Sequence, residues 1–344
     1  MEDKSGDKSI DKLFTVVVSH YQQLGLWKDT IDSILKQIYP AIQIIFADDH
    51  SVGFDVKEVE KYIEQNNRGN VKSVIVLSQK ENVGTVRNMN YAHSYCTGYY
   101  ITHTAADDAY FDEYVFTNYA KHLESVPDDV CGIYGRSIKC DVKLNQREGD
   151  FININLAKSY NNLSAQQQFV KMLEKCYMPL GAMAFKTEYF NRFMPFDDKY
   201  TLIEDWPFFL RVLKTGMRFE FFDFPAMLYR DGGVTSSLAR EKNAEAQKKA
   251  YKDHLEFYDN ELWLYTRMMP YTQLFKMSYK YDYDRHFMKK VLGPIRSRKR
   301  ITILKKDFRF LGVIMDKWLN KKEFGHGIKD IYRNLALYLF NPYL

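Results

Sequence analysis

The sequence predicts an α/β fold: a mainly parallel central sheet flanked by helices, followed by a mostly helical C-terminal extension. Three observations predict it. Short β-branched runs alternate with helix-period segments from Phe14 to Arg136. Two of those runs lead into paired acids, Asp48-Asp49 and Asp107-Asp108, where a buried strand meets solvent. Past about Ser236 the chain becomes Lys-rich, aromatic and helical in pattern, with few strand signals.

Phe14 to Val18 reads as the first buried strand. Trp27, Ile31, Ile34, Leu35 and Ile38 then recur at helical spacing, and Pro40 stops that helix. Ile42 to Ala47 is a second strand ending at Asp48, residues 55–66 a helix, and Val71 to Leu77 a third strand. Thr85 to Tyr95 reads as a helix ended near Gly98, and Tyr99 to Thr104 as a fourth strand just before Asp107. Val130 to Arg136 is a further strand, after which the alternation loses regularity. Asp141 to Asn162 is polar and Asn-rich, a loop or flap; Leu163 to Lys175 reads as a helix, and Met178-Pro179-Leu180-Gly181 breaks structure. Ile203 to Thr215 is a helix ended by Gly216. The implied organisation is a flexible lead-in at 1–12, a main domain at 13–237 and a basic, aromatic extension at 238–344.

Composition narrows the class. Hydrophobic residues make up 46% of the 344, enough for a packed core and against global disorder. A net charge of +5 suits phosphate-bearing or anionic partners. Cys96, Cys131, Cys140 and Cys176 form no CxxC pair, so neither a zinc site nor a disulfide framework is indicated and a reducing cytosol is the simpler setting. No HExxH marks a metalloprotease, Met1 to Lys12 lacks a secretory apolar core, and no apolar run approaches the ~20 residues that cross a bilayer.

A parallel sheet gathers its strand ends along one edge, and open α/β sheets bind ligands there. Ser19-His20-Tyr21-Gln22 follows the first strand, and Tyr21 can stack on a nucleobase or pack at the strand end. In Asp48-Asp49-His50-Ser51 a carboxylate can accept the N3–H of uracil, or make an Asx turn or cap. Asn82-Val83-Gly84-Thr85-Val86-Arg87-Asn88 opens a helix. Gly84 lets backbone approach a ligand there, and the helix N-terminus favours an anion. Arg87 can grip a diphosphate or serve as a surface ion-pair partner. Asp107-Asp108 is the metal candidate, two hard oxygen donors of the kind Mg²⁺ or Mn²⁺ takes beside diphosphate oxygens; a solvated turn is the alternative. Glu204-Asp205-Trp206 opens another helix, where one carboxylate can be a general base or both can complement the helix dipole.

In order and spacing these segments resemble the family 2 inverting glycosyltransferases, which have the Rossmann-like GT-A fold. The likeness runs from about Phe14 to Ser237. It rests on Val16-Val17-Val18-Ser19-His20-Tyr21, Ser33-Ile34-Leu35-Lys36-Gln37, Ala47-Asp48-Asp49-His50-Ser51 and Asn82-Val83-Gly84 with Arg87-Asn88. It continues through Gly98-Tyr99-Tyr100-Ile101, Asp107-Asp108, Glu204-Asp205-Trp206, and Tyr229-Arg230 with Ser236-Ser237. The chain departs from the family's common pattern at Ser19, His20 and Gln22, where Pro and Asn often stand. It departs again at Ala106, which leaves a plain Asp-Asp pair in place of Asp-x-Asp.

The resemblance implies metal-dependent, inverting transfer of a sugar from a UDP-sugar to a hydroxyl of a glycan or lipid-linked saccharide, in surface polysaccharide synthesis. It implies Tyr21 stacked on uracil, Asp49 bonded to it, Arg87 on the nucleotide and Asp107 facing the donor's ribose or sugar. Asp108 would hold the divalent cation, Mn²⁺ or Mg²⁺. Asp205 would be the base, with Glu204 beside it near the acceptor. An ordinary aspartate is ionised at neutral pH, so such a base needs no tuning.

Two other classes compete. A sugar nucleotidyltransferase would show a Gly-rich loop near its N-terminus, and Phe14 to Leu24 has none. A non-enzymatic membrane- or nucleic-acid-binding module would use the basic segment Lys289 to Arg309, but has no need of ordered acid stations; no nucleic acid partner is expected. That segment interleaves cations with Val291, Ile301, Leu304 and Phe308. It can be a solvated basic face, or can lie on an anionic membrane at about 1 kcal/mol per cation. The expected location is the cytoplasm, with peripheral attachment to the cytoplasmic face of the inner membrane through residues 289–309.

Overall fold

The β-branched run forms β1 (Phe14–His20), with Phe14, Val16, Val17 and Val18 all buried. A strand is buried on both faces when helices cover both, which is why its sequence reads as continuous apolar residues. In this computed structural model, which describes residues 12–173, 175–231, 244–262 and 265, β1 is the centre of the parallel part of the sheet. Residues 1–11 of the lead-in, Ser236 and Ser237, the basic segment 289–309 and the rest of the C-terminal extension past residue 265 lie outside the described residues.

β1 pairs in parallel with β2 (Ile42–Asp48) on one side and β4 (Tyr100–Ala105) on the other, and β2 pairs with β3 (Val71–Ser78). The connecting helices are α1 (Trp27–Leu35), α2 (Val56–Asn66) and α3 (Thr85–His93). Phe14, Val16, Val18, Ile42, Ile44 and Phe46 share one core cluster with Trp27 and Ile31 of α1 and Val59 and Ile63 of α2. α3 packs on β1 and β2 and buries Val86, Met89 and Ala92. The chain moves from β1 to β2 and β3 in one direction, then crosses back to place β4 on β1's other side. That reversal opens a crevice between the carboxyl ends of β1 and β4, the usual ligand position in such sheets.

The remaining elements are β5 (Ala109–Tyr110), α4 (Val115–Ser125), β6 (Val130–Cys140), β7 (Gln146–Asp150), α5 (Ile154–Tyr160) and α6 (Ala165–Met172). Then come β8 (Met183–Lys186), α7 (Thr187–Asn191), α8 (Asp205–Lys214), β9 (Arg218–Arg230) and α9 (Ala244–Asn260). The strand order is β3-β2-β1-β4-β8-β6-β9-β5, with β7 paired to β6. β8 is antiparallel to β4 and β6, and β5 and β7 are also antiparallel to their partners, while β6 and β9 run parallel. The sheet is therefore mixed, parallel through β4 and mostly antiparallel beyond.

Four strands, β5, β7, β8 and β9, have no counterpart in the sequence reading. β8 is only four residues long, too short to show a period. β9 carries Pro225 in mid-run, a residue that argues against a central strand. The register of β6 and β9 shifts around Arg136 and Pro225, an irregularity that absorbs the missing N–H. The Asn-rich 141–162 stretch is not all loop: it holds β7 and α5, the latter capped where the Asn153 side chain accepts from Leu156 N–H at 3.0 Å.

The chain divides into two compact units, one of residues up to Met172 with Cys176–Asp253, the other of Leu173–Lys175 with residues from His254 onward. The first holds β1 to β9. Among the described residues of the second are those of α9 past Asp253. Among the described residues no helix is long and apolar enough to cross a membrane.

Candidate active site

The carboxyl ends of β1, β2 and β4 lie side by side, with His20 in register with Asp48 and Ser19 with Ala105. Backbone bonds lace them further: Asp49 N–H donates to His20 O at 2.9 Å, and Ala106 N–H to Ser19 O at 2.8 Å. Both acid pairs thus flank the exit of β1.

The first pair splits its work. Asp48 is buried and accepts from His20 Nδ1 at 2.7 Å, Ser51 N–H at 3.0 Å and Ser78 Oγ at 3.1 Å. Burial opposes its charge, but the bonds from His20 and Ser51 outweigh burial and hold the carboxyl below its ordinary value. Asp49 turns to the loop before α3. Its Oδ1 accepts from Val83 N–H at 2.8 Å, and its Oδ2 from Gly84 N–H at 2.8 Å and Asn82 Nδ2 at 3.0 Å. Here burial prevails over the bonds, and the Asp49 carboxyl is raised.

Gly84 takes φ 87°, a left-handed conformation, at the N-cap of α3. A Cβ there would collide with Thr201 Cγ2 and sit 2.8 Å from Thr201 O, so only glycine fits. Thr201 O in turn accepts from Val86 N–H at 3.2 Å. The loop leading to Glu204 and Asp205 is thereby docked on the loop that Asp49 holds.

The second pair sits past β4. Asp107 and Asp108 are 7% and 6% exposed, which rules out a solvated turn. Arg230, at the end of β9 and itself buried, fixes the turn. Its backbone N–H donates to Asp108 Oδ1 at 2.8 Å and its Nε to Asp107 O at 2.5 Å. Its other nitrogens reach Asp29 Oδ2 at 2.7 Å and Val142 O. Thr30 Oγ1 donates to Asp108 O at 2.5 Å. Even so, burial raises both carboxyls, Asp108 well above its ordinary value with the Asp107 charge adding to the effect. Two buried carboxyls that stay raised even with the Arg230 charge beside them are a fit for a divalent cation, which takes few protein oxygens when phosphate and water complete its shell. Among the described residues there is no set of three His, Cys, Asp or Glu that could hold a metal by itself.

The third station opens α8. Glu204 is the N-cap without a side-chain capping bond, and Asp205 stands in the first turn. Asp205 Oδ1 accepts from Trp206 N–H at 2.6 Å, and Oδ2 from the Cys176 thiol at 3.7 Å. Burial raises both carboxyls, and burial with the neighbouring Asp205 charge takes Glu204 to about 8. The expectation of an untuned aspartate is corrected here: the environment of Asp205 raises its basicity.

A sequence profile described as Glycosyl transferase family 2 matches residues 15–193, more than half of the chain. The chain belongs to glycosyl transferase family 2. The matched stretch of this glycosyltransferase contains Tyr21, Asp49, Arg87, Asp107 and Asp108, while Glu204 and Asp205 lie beyond it. An uncharacterized glycosyltransferase of Haemophilus influenzae is 21% identical over 292 residues, 81% of this chain and 84% of that protein. Glycosyltransferase GlyG of Streptococcus pneumoniae is 31% identical over 125 residues, 36% of this chain and 40% of GlyG.

Solved structures show the same fold, which is GT-A. S. aureus TarS 1-349 in complex with UDP superposes with a TM-score of 0.54 at 12% identity, covering 89% of this chain and 82% of that one. The mannosyltransferase PcManGT from Pyrobaculum calidifontis, in complex with GDP-Man and Mn²⁺, gives 0.50 at 14% identity, covering 95% and 85%. Against the longer solved TarS chain, this glycosyltransferase spans 48% of the length.

The structure gathers the sequence-predicted residues unevenly. Tyr21 directly follows β1 and is 41% exposed, so it is not buried packing at a strand end. Arg87, in the first turn of α3, has a 62% exposed side chain paired with Asp198 at 4.0 Å, the surface role the sequence left open. Sequence reasoning noted Arg230 only as part of a late motif and missed its hold on the acid pair; an Arg closing the apolar run Ala226-Met227-Leu228-Tyr229 was the available signal. It also missed the parts played by Thr201 and Cys176, which no local pattern marks.

Proposed function

We propose that this glycosyltransferase moves a sugar from a UDP-sugar to an acceptor hydroxyl on a glycan or lipid-linked saccharide, with inversion at the anomeric carbon. The observation that carries the reading is two buried acid stations on either side of the β1 exit, the Asp107-Asp108 pair after β4 and Asp49, which holds the 82–84 loop, after β2. The complexes of TarS with UDP and UDP-GlcNAc and of PcManGT with GDP-Man support a nucleotide-sugar donor; the choice of uridine rests on Asp49.

Tyr21 stacks on uracil, and the second lone pair of Asp49 Oδ1, which accepts one bond from Val83, takes the N3–H. Arg87 swings from Asp198 to the diphosphate, since an exposed ion pair is worth only about 0–1 kcal/mol. Asp107 faces the ribose or sugar. Asp108 would hold Mn²⁺ or Mg²⁺, which would neutralise charge on the departing diphosphate. The acceptor oxygen attacks the anomeric carbon opposite UDP, the bond to the β-phosphate oxygen breaks with its electron pair leaving on UDP, and Asp205 takes the acceptor proton. Burial raises both Glu204 and Asp205, and each charge opposes the other, so the pair takes up a proton more readily than free carboxylates do.

Asp205→Asn tests the assignment. UDP affinity should stay near that of the intact protein while turnover falls by about 10²–10⁴, the usual weight of a general base. Near-normal turnover would remove Asp205 from the role.

A further inference from the structure

α9 lies beyond the stretch matched by the family profile, yet one of its residues reaches the loop before α8. Asp253 is buried, 3% exposed. A single oxygen, Oδ2, accepts from Thr201 N–H at 2.7 Å and Leu202 N–H at 2.6 Å. Two short bonds from consecutive amides to one carboxylate oxygen fix the direction of the backbone there. A buried charge persists only where such donors meet it. Glu204 and Asp205 follow within three residues of Leu202, and the Asp253 charge is among those that raise Glu204.

On its other side the same loop is fixed to the nucleotide half of the site. Thr201 packs on Gly84 and accepts from Val86 N–H. Asp49 holds Val83 and Gly84 by bonds of its own, so the 82–84 loop keeps its shape without help from α9.

We infer that Asp253 is a positioning residue for the catalytic base: by gripping the Thr201 and Leu202 amides it sets where the Glu204-Asp205 carboxylates stand relative to the donor. It touches neither donor nor acceptor. The inference rests on the reading of Asp205 as base, and predicts that the α9 contact governs turnover and not donor affinity. A base displaced by about 1 Å can cost about 10²-fold in rate.

The test uses the full chain, with Mn²⁺ and whichever UDP-sugar it hydrolyses fastest, reading UDP release for rate and calorimetry of UDP for affinity. Asp253→Ala should lower kcat by about 10–100-fold with UDP affinity within about threefold of the intact protein. Asp253→Asn keeps an acceptor oxygen for both amides and should return kcat to within about threefold. If Asp253→Ala does not yield folded protein, Asp253→Glu retains the charge but shifts the oxygen by one methylene, and should show the same loss of kcat at unchanged affinity. An unchanged kcat in the altered protein, equal losses in the Ala and Asn variants, or a parallel loss of UDP affinity would each overturn the inference. Asp205→Asn is measured alongside. If it keeps full turnover, the base assignment has failed; if it loses turnover while Asp253→Ala does not, only the role of Asp253 has failed.

Discussion

Asp48-Asp49 and Asp107-Asp108 close β2 and β4, the two strands on either side of β1, and in sequence they are the same dipeptide. Their surroundings differ. Asp48 accepts from His20, Ser51 and Ser78, and Asp49 from Asn82, Val83 and Gly84. At the second pair one backbone N–H, that of Arg230, meets an Asp108 oxygen, and the Gln23 side chain reaches Asp107. The consequence is electrostatic. Asp48 is held below its ordinary value, whereas Asp108 is driven well above it by burial and by its neighbour's charge. Burial with donors makes an acid part of the frame. Where burial prevails the charged form is disfavoured, at Asp49 with its three donors as at Asp107-Asp108, and at the latter a bound cation is the partner that would restore it.

The largest effect should come from the pair left short. Asp108→Ala should abolish the gain in UDP-sugar binding that Mn²⁺ confers, and cost about 100-fold or more in turnover, since Lewis-acid stabilisation is worth several kcal/mol. Calorimetry of UDP with and without Mn²⁺ reads the first, and UDP release the second. A metal effect that survives in the variant would move the cation elsewhere and dissolve the contrast between the pairs.

Asp48 should respond in stability instead. Asp48→Ala strands His20 Nδ1 and Ser51 N–H in the core and should cost about 3–5 kcal/mol, measured by urea unfolding, with the Mn²⁺ effect intact in the folded fraction. The pH dependence has a definite sign. A carboxyl lowered on folding contributes stability that is present above its unfolded value and is lost as pH falls through the lower folded one. As pH falls below ~4, Asp48→Asn should therefore lose less stability than the intact protein. If Asp48→Ala instead erases the metal effect without loss of stability, both pairs are functional and the division is wrong.

The parallel half was legible because burial on both faces writes itself into Phe14 to Val18 and Ile42 to Phe46 as unbroken apolar runs. β8 and β9 were not, one for brevity and one for Pro225. The two acid pairs that follow β2 and β4 were legible by position, since the carboxyl ends of parallel strands can be placed without coordinates. Their division of labour was not, because the donors that decide it are remote. Val83 and Gly84 lie 34 and 35 residues past Asp49, and Arg230 lies 122 past Asp108. Asp253 reaches Thr201 across 52 residues from a helix whose sequence shows only a Lys-rich, polar pattern. No local pattern encodes such contacts; they exist only once the sheet has formed.

Asp49 carries the smallest and most discriminating prediction, because it belongs to both regimes. It holds the 82–84 loop, a frame role, yet Oδ1 accepts only one bond from that loop. Uracil offers N3–H to a carboxylate, whereas cytosine presents a lone pair at N3, which the same carboxylate repels. The intact protein should therefore bind UDP about tenfold more tightly than CDP, the worth of roughly one hydrogen bond in a partly buried site. Asp49→Ala should weaken both nucleotides, because the loop loses its anchor, and should also narrow the ratio between them. The two contributions separate in one titration series: loss of the frame lowers both affinities equally, while loss of base reading lowers UDP alone. A variant that weakens UDP and CDP by the same factor would leave Asp49 with Asp48, as an acid used up by the fold.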